Sequence, residues 1–312
     1  MTWLNRRGFA AGLAGLPIAN ASLAGPQGVV AGQSTWSESV MVLYFDEKVR
    51  NGFSFRLSRY PERNQTWAWV HVLMDGELYS FTERRITSTT DRLEAGSPSA
   101  IYSAPGFDIR MTRLGPSNDM KALSFSASIK GHHGPGGIDG EGDIPIALEG
   151  VFHPSALRGH SPEGRFERTG RFEATLGVGR KWTFLSGIGK AHEQTQTKPR
   201  FDQPFTYAML WGQHTSLIGL LAPDRSYGNV DLGNGDVAMK AMQVEPWSPV
   251  RKFAARLEGG GMVTGQAETV RGYNVPVLGR LWHGRIVRAQ VEGQRMVGMI
   301  NDWRPEEQIY GL

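Results

Sequence analysis

The chain has 312 residues, 40% of them hydrophobic, a formal net charge of +4 and no cysteine. That length suits about two domains with buried cores, and the small net charge, with no Lys/Arg cluster recurring along one face, argues against a nucleic-acid partner. Without cysteine, disulfides, thiolate metal sites and cysteine nucleophiles are excluded.

The chain opens on Asn5-Arg6-Arg7-Gly8-Phe9, which resembles a twin-arginine export motif, followed by a moderately apolar run, Ala10 to Ala24. Small residues at Ala19-Asn20-Ala21 or Ser22-Leu23-Ala24 suit a cleavage site, so residues 1–24 are expected to be a signal segment that delivers the protein to the periplasm. The run is too short and too glycine-rich to span a bilayer, and no transmembrane helix is expected after it.

Beyond the leader, short alternating runs separated by turn residues predict strands throughout. The first covers Ser37 to Asp46, and Phe53, Phe55 and Leu57 alternate with polar residues in the next. Gln65 to Met74 leads through Asp75-Gly76 into Glu77 to Phe81, the clearest hairpin in the chain. On its outgoing strand Trp67, Trp69 and His71 share one face, either lining a ligand site or packing between sheets. Further strands are expected at Ser99 to Ser103, Phe107 to Thr112, Lys121 to Ile129 and Pro145 to Phe152. The glycine-rich stretch from Gly131 to Gly142 reads as a loop; its neighbouring His132 and His133 point to opposite sides of an extended chain, and no metal site is expected.

A Pro/Gly/Ser-rich segment near residues 155–168 marks the expected domain boundary, giving an N-terminal β-barrel-like domain at 25–160 and a C-terminal one at 161–312. The second half continues as strands at Arg168 to Gly177, Lys181 to Leu185, Phe205 to Trp211, Thr215 to Ala222, Asp236 to Val244, Arg251 to Leu257, Met262 to Val270, Val275 to His283, Ile286 to Val291 and Arg295 to Asn301. No stretch supports a long amphipathic helix, a dinucleotide fingerprint or a phosphate loop, and no cofactor is implied. The expected fold is all-β: two consecutive antiparallel β-barrels or strongly curved sheets.

Chemistry concentrates between Trp182 and Gly212. A polar crossing with Lys190, His192, Glu193, Lys198, Arg200 and Asp202 lies among Trp182, Phe184, Tyr207 and Trp211, as in an apolar pocket with a few polar groups. Trp36-Ser37-Glu38-Ser39, the Asp75-Gly76-Glu77-Leu78-Tyr79 turn and Gly187-Ile188-Gly189-Lys190-Ala191-His192-Glu193 together resemble the tandem lipocalin-like family of carotenoid 1,2-hydratases, kievitone hydratase, fungal decalin-forming cyclases and ceramide-binding survival factors. The resemblance implies a hydrophobic ligand and acid chemistry on an alkene or alcohol. His192 matches the family histidine, whereas the family aspartate falls at Ala191 and the following Trp-Gly is Gln194-Thr195.

Glu193, two residues past Ala191 on the same face, is the expected replacement acid. Burial among aromatic rings would keep such a carboxyl protonated, and Trp182, Tyr207 or Trp211 would stabilise a carbocation. His214 either pairs with Glu193 as a base or satisfies a backbone carbonyl. Lys190 either holds an anionic group of the ligand or belongs to a solvated basic rim. The candidate catalytic residues are therefore Glu193, His192 and His214, and the candidate binding residues are Trp182, Tyr207, Trp211, Lys190, Trp67 and Trp69. Two function classes follow: a lyase or isomerase acting on a terpenoid-, steroid- or prenyl-like molecule, or a non-catalytic carrier of one.

Overall fold

The computed structural model describes residues 36–88, 92–93, 96–140, 142–155, 164–197, 203–277 and 280–304. The signal segment and the Lys198–Asp202 stretch lie outside the described residues. Ten strands form the first sheet: β1 (Ser37–Phe45), β2 (Gly52–Tyr60), β3 (Gln65–Met74), β4 (Glu77–Thr87), β5 (Ser99–Ser103), β6 (Asp108–Leu114), β7 (Ala122–His133), β8 (Ile144–Pro154), β9 (Arg165–Val178) and β10 (Lys181–Gln196). They are ordered β4-β3-β2-β1-β10-β9-β8-β7-β6-β5, and the sheet curls until β4 meets β7 at Tyr79↔His133 and Ser80↔His132.

The remaining eight are β11 (Phe205–Trp211), β12 (Ser216–Ala222), β13 (Arg225–Asp231), β14 (Asp236–Val244), β15 (Val250–Leu257), β16 (Met262–Val277), β17 (Arg280–Val291) and β18 (Gln294–Arg304). They close into an antiparallel barrel, β18 returning to β11. Helix among the described residues is confined to two single 3-10 turns, Pro61–Arg63 and Ser117–Asp119, and none is long and apolar enough to cross a membrane. The expected all-β class is what the chain adopts, as one curled antiparallel sheet and one closed antiparallel barrel.

The division between the sheets differs from the expected one. β9 pairs with β8 and with β10, and β10 pairs with β1 from Leu43↔Lys190 to Ser37↔Gln196. Residues 165–196 therefore belong to the first sheet, which parts from the barrel between Gln196 and Phe205. A Pro/Gly/Ser-rich segment marks a long strand connection as readily as a linker, and here it joins β8 to β9. The expected polar crossing after Leu185 is also strand, the second half of β10. Its polar residues lie on both faces, Lys190 and His192 on one and Glu193 on the other, so no hydrophobic alternation announces it. β7 likewise runs through His132 and His133 before the loop begins. The sequence reading has no counterpart of β13, whose Arg-Ser-Tyr-Gly-Asn-Val-Asp is mostly polar, and Val275 to His283 divides between β16 and β17.

Period-two alternation sorts the side chains into three cores. Val40, Val42, Phe53, Phe55, Leu57, Val70, Val72 and Phe172 fill the first sheet's interior. Ala208, Leu210, Phe253, Val287 and Ile300 fill the barrel. The third core lies between the two units. There the outer face of the first sheet (Met41, Leu43, Phe45, Trp67, Trp69, Leu73) meets the outer face of the barrel (Tyr207, Met209, Trp211, Tyr273, Trp282, Met299, Trp303). Each such side chain contributes roughly 1.5–3 kcal/mol when fully buried, so the two units are held by a hydrophobic seam.

Candidate functional site

The seam is where buried charge collects. β9 and β10 run antiparallel with His192 opposite Glu167 and Gln194 opposite Arg165. Directly paired residues share a face, and two-residue spacing adds Lys190 to it. This face meets β11, whose Tyr207 points out of the barrel. The Tyr207 hydroxyl donates to Glu167 Oε1 at 2.5 Å, and Lys190 Nζ donates to the Tyr207 oxygen at 3.0 Å. Lys190 and Arg165 both form ion pairs with Glu167. The Arg165 guanidinium lies 4.6 Å from the Tyr207 ring centre, and the His192 ring is 6.3 Å from it. Lys190 is fully buried and His192 nearly so.

Burial dominates the electrostatics. It pulls Lys190 from 10.5 to about 8 against the attraction of Glu167. Burial also opposes the charge on Glu167, but Arg165 and Lys190 outweigh it, and the carboxyl is held below its ordinary value. Tyr207 is pushed well above 10 by burial, reinforced by Glu167. Burial works against the Arg165 cation, which Glu167 and the Tyr207 and Tyr227 phenols nevertheless raise. The cluster thus holds a carboxylate acceptor, a phenol donor and a readily deprotonated ammonium within hydrogen-bond reach of one another.

Along the same seam runs an aromatic wall. Trp69 meets Trp282 edge-on at 5.6 Å, Phe205 meets Trp282 at 5.6 Å, and Trp67 packs on Tyr60 at 4.6 Å. The Arg56 guanidinium sits 5.4 Å from the Trp69 ring centre and 5.8 Å from that of Trp282. His71 stacks on Tyr273 at 3.4 Å, and burial lowers its pKa to about 3. Trp211 stacks on Phe45 at 6.1 Å, further along the same interface.

Of the residues singled out in the sequence, Lys190, His192 and Tyr207 come together, with Trp67, Trp69 and Trp211 on the same seam. Three do not. Trp182 is 63% exposed near the β9–β10 turn. His214 is exposed in the β11–β12 connection and does not reach Glu193. Glu193 does share a face with Ala191, as expected, but that face is the first sheet's interior. Tyr102 Oη donates to Glu193 Oε1 at 2.6 Å, and Arg113 Nε lies 2.9 Å from Oε2. Both neighbours donate, so Glu193 is placed as an acceptor rather than as a proton donor to a ligand. A second buried pair, Glu38–Arg59 at 2.7 Å, shares this interior.

Sequence reasoning missed Glu167 and Arg165, which sit in what reads as linker. The available signal was their spacing, an Arg-x-Glu pair opening a strand. Among the described residues no group of three His, Asp or Glu side chains is arranged to hold a metal ion.

No protein-family model and no curated protein matches the chain. Solved structures do. A Nitrosomonas europaea protein described as an AttH candidate superposes with a TM-score of 0.53 at 10% identity, covering 86% of this chain and 91% of that one. Kievitone hydratase from Nectria haematococca gives 0.47 at 9% identity, covering 86% and 88%. The first match establishes a shared fold over most of both chains.

Proposed function

We propose that the protein binds a hydrophobic small molecule along the seam and moves a proton on it, as a lyase or isomerase. The observation that carries this reading is the Tyr207 hydroxyl held between Lys190 and Glu167 in a buried, aromatic-rich interface. Glu167 is the base, Lys190 and Tyr207 are the donors that face an oxygen gaining charge, and the Trp69–Trp282 wall supplies apolar contact. A carbonyl ligand of terpenoid, steroid or prenyl type suits this set. The Glu167 carboxylate takes a proton from the carbon beside the carbonyl, and the bonding pair moves onto the oxygen, where Lys190 and Tyr207 donate to it. Return of the proton at another carbon completes isomerisation, whereas departure of a β-hydroxyl with a proton, as water, completes dehydration. Such base catalysis contributes about 10²–10⁴-fold. This chemistry differs from protonation of an alkene by Glu193, whose carboxylate faces away from the seam. Delivery to the periplasm is part of the same proposal and rests on Arg6-Arg7.

The test is proton exchange from prenylated and steroidal β-hydroxy ketones in deuterated water, with binding followed separately by tryptophan fluorescence. Wild type exchanges and turns over; Glu167→Gln binds but loses at least about 100-fold in both. Activity falls as pH rises through about 8, where the Lys190 cation is lost, and Lys190→Arg moves that limb upward. Binding by both proteins with exchange by neither would establish the second reading, a carrier. The observation on its side is that Glu193, the expected acid, is held by Arg113 and Tyr102 inside the first sheet.

A further inference from the structure

β10 has two sides and only one is fully used. β9 pairs with it from Lys181↔Val178 to Gln194↔Arg165. On the opposite side β1 covers only Lys190–Gln196. Among the described residues no strand pairs with that side of residues 181–189, and the contact there is Tyr44 Oη donating to the Ser186 carbonyl at 3.0 Å. A strand edge of this kind presents backbone donors and acceptors to whatever can pair with them.

The exposed side chains on this edge are not those that normally protect one. Trp182 and Phe184 are 63% and 68% exposed and, two residues apart, share the outward face. The Trp182 ring lies across Gly177 on β9, where a Cβ would come within 2.7 Å of it. Lys181, the one charge in the Lys181–Leu185 segment, is turned aside to Asp75 at 2.6 Å. The segment contains no proline and no carboxylate.

We propose that a second copy of this chain pairs with this edge, its Lys181–Leu185 segment lying antiparallel to the first about a two-fold axis through Thr183. The sequence is self-complementary in that register. Antiparallel partners must share a face, so residue numbers across the axis add to an even total, and centring on Thr183 puts Trp182 opposite the partner's Phe184 twice over. Lys181 then faces the partner's Leu185, and Arg180 faces the partner's Ser186, so no like charges oppose. A two-fold arrangement uses the same patch on both copies and closes, so this patch is used up in a dimer. The first sheet becomes continuous across two molecules, joined through the strand that carries Lys190 and His192 in each.

The experiment uses the full chain, sized by sedimentation at micromolar concentrations. A dimer is expected, and Trp182→Lys with Phe184→Lys should weaken it more than about 100-fold while the urea midpoint stays in place. Because the chain has no cysteine, single introduced thiols read the register directly. Thr183→Cys sits on the axis, at a cross-strand distance a disulfide can bridge, and should cross-link under mild oxidation. Ser186→Cys, about 20 Å from its symmetry mate by strand rise, should not. This pair remains informative if the double lysine variant fails to fold. A monomer at all concentrations would overturn the proposal, as would equal cross-linking by the two thiols. So would a monomer that floats with phosphatidylglycerol vesicles through Trp182 and Phe184, which would assign the patch to a membrane surface.

Discussion

Glu193 and Lys190 lie three residues apart on β10 and serve different compartments, because an odd spacing on a strand sends side chains to opposite faces. Glu193 meets Arg113 and Tyr102 in the first sheet's interior, and Lys190 meets Glu167 and Tyr207 in the seam. Removing one partner of a buried ion pair costs about 3–5 kcal/mol, since the other charge stays buried. Glu193→Gln should sit at the low end of that range, because its amide oxygen still accepts from Tyr102, and adding Arg113→Met should recover part of the loss. Turnover per folded molecule should be unchanged in Glu193→Gln. A variant with native urea stability and reduced turnover would return Glu193 to the chemistry. Lys190, His192 and Tyr207 were legible in the sequence because titratable and aromatic residues cluster there. Glu167 was not, since its partners lie across a strand pairing that adjacent sequence does not disclose.

At the scale of the element, β3 shows what alternation reveals and what it leaves open. The shared face of Trp67, Trp69 and His71 was readable from spacing alone, and so was the Asp75-Gly76 turn, where both residues take positive φ. What that face covers was not, because the covering residues, Tyr273 and Trp282, come from strands some 200 residues later. His71 lies flat on Tyr273, fully buried and neutral. Its folded pKa of about 3 is below its unfolded value of 6.5, so as pH falls below 6.5 the unfolded chain takes up the proton first. Stability is therefore lost progressively between pH 6.5 and 3, by on the order of 4 kcal/mol. His71→Phe keeps an aromatic face on Tyr273 and removes a ring nitrogen, Nδ1, that has no hydrogen-bond partner. Urea midpoints measured between pH 7 and 4 should fall less steeply for His71→Phe than for wild type; parallel slopes would show that another group carries the acid sensitivity.

For the molecule as a whole, class was easier to read than connectivity. Alternating runs and turn chemistry made an all-β chain of two units evident, while the position of the division depended on which strands pair, and β10 pairs with β1 some 150 residues earlier. The difference can be tested by cutting the chain. A fragment of residues 25–160 lacks β9 and β10, which occupy the middle of the ten-stranded sheet between β1 and β8. It loses Phe172, Leu176, Leu185 and Ala191 from the core and leaves β1 and β8 as unpaired edges. It should show no cooperative urea transition and should aggregate. A fragment of residues 25–204 keeps every strand of the sheet and should unfold cooperatively, though less stably than the intact chain, because the seam face of Met41, Leu43, Phe45, Trp67 and Trp69 loses its cover. Adding residues 203–312, which contain the complete barrel, should bury that face again and raise the midpoint with the logarithm of the barrel concentration. Cooperative unfolding of the 25–160 fragment, with native-like near-ultraviolet dichroism, would favour a division near residue 160 and show that β9 and β10 dock onto a sheet already formed.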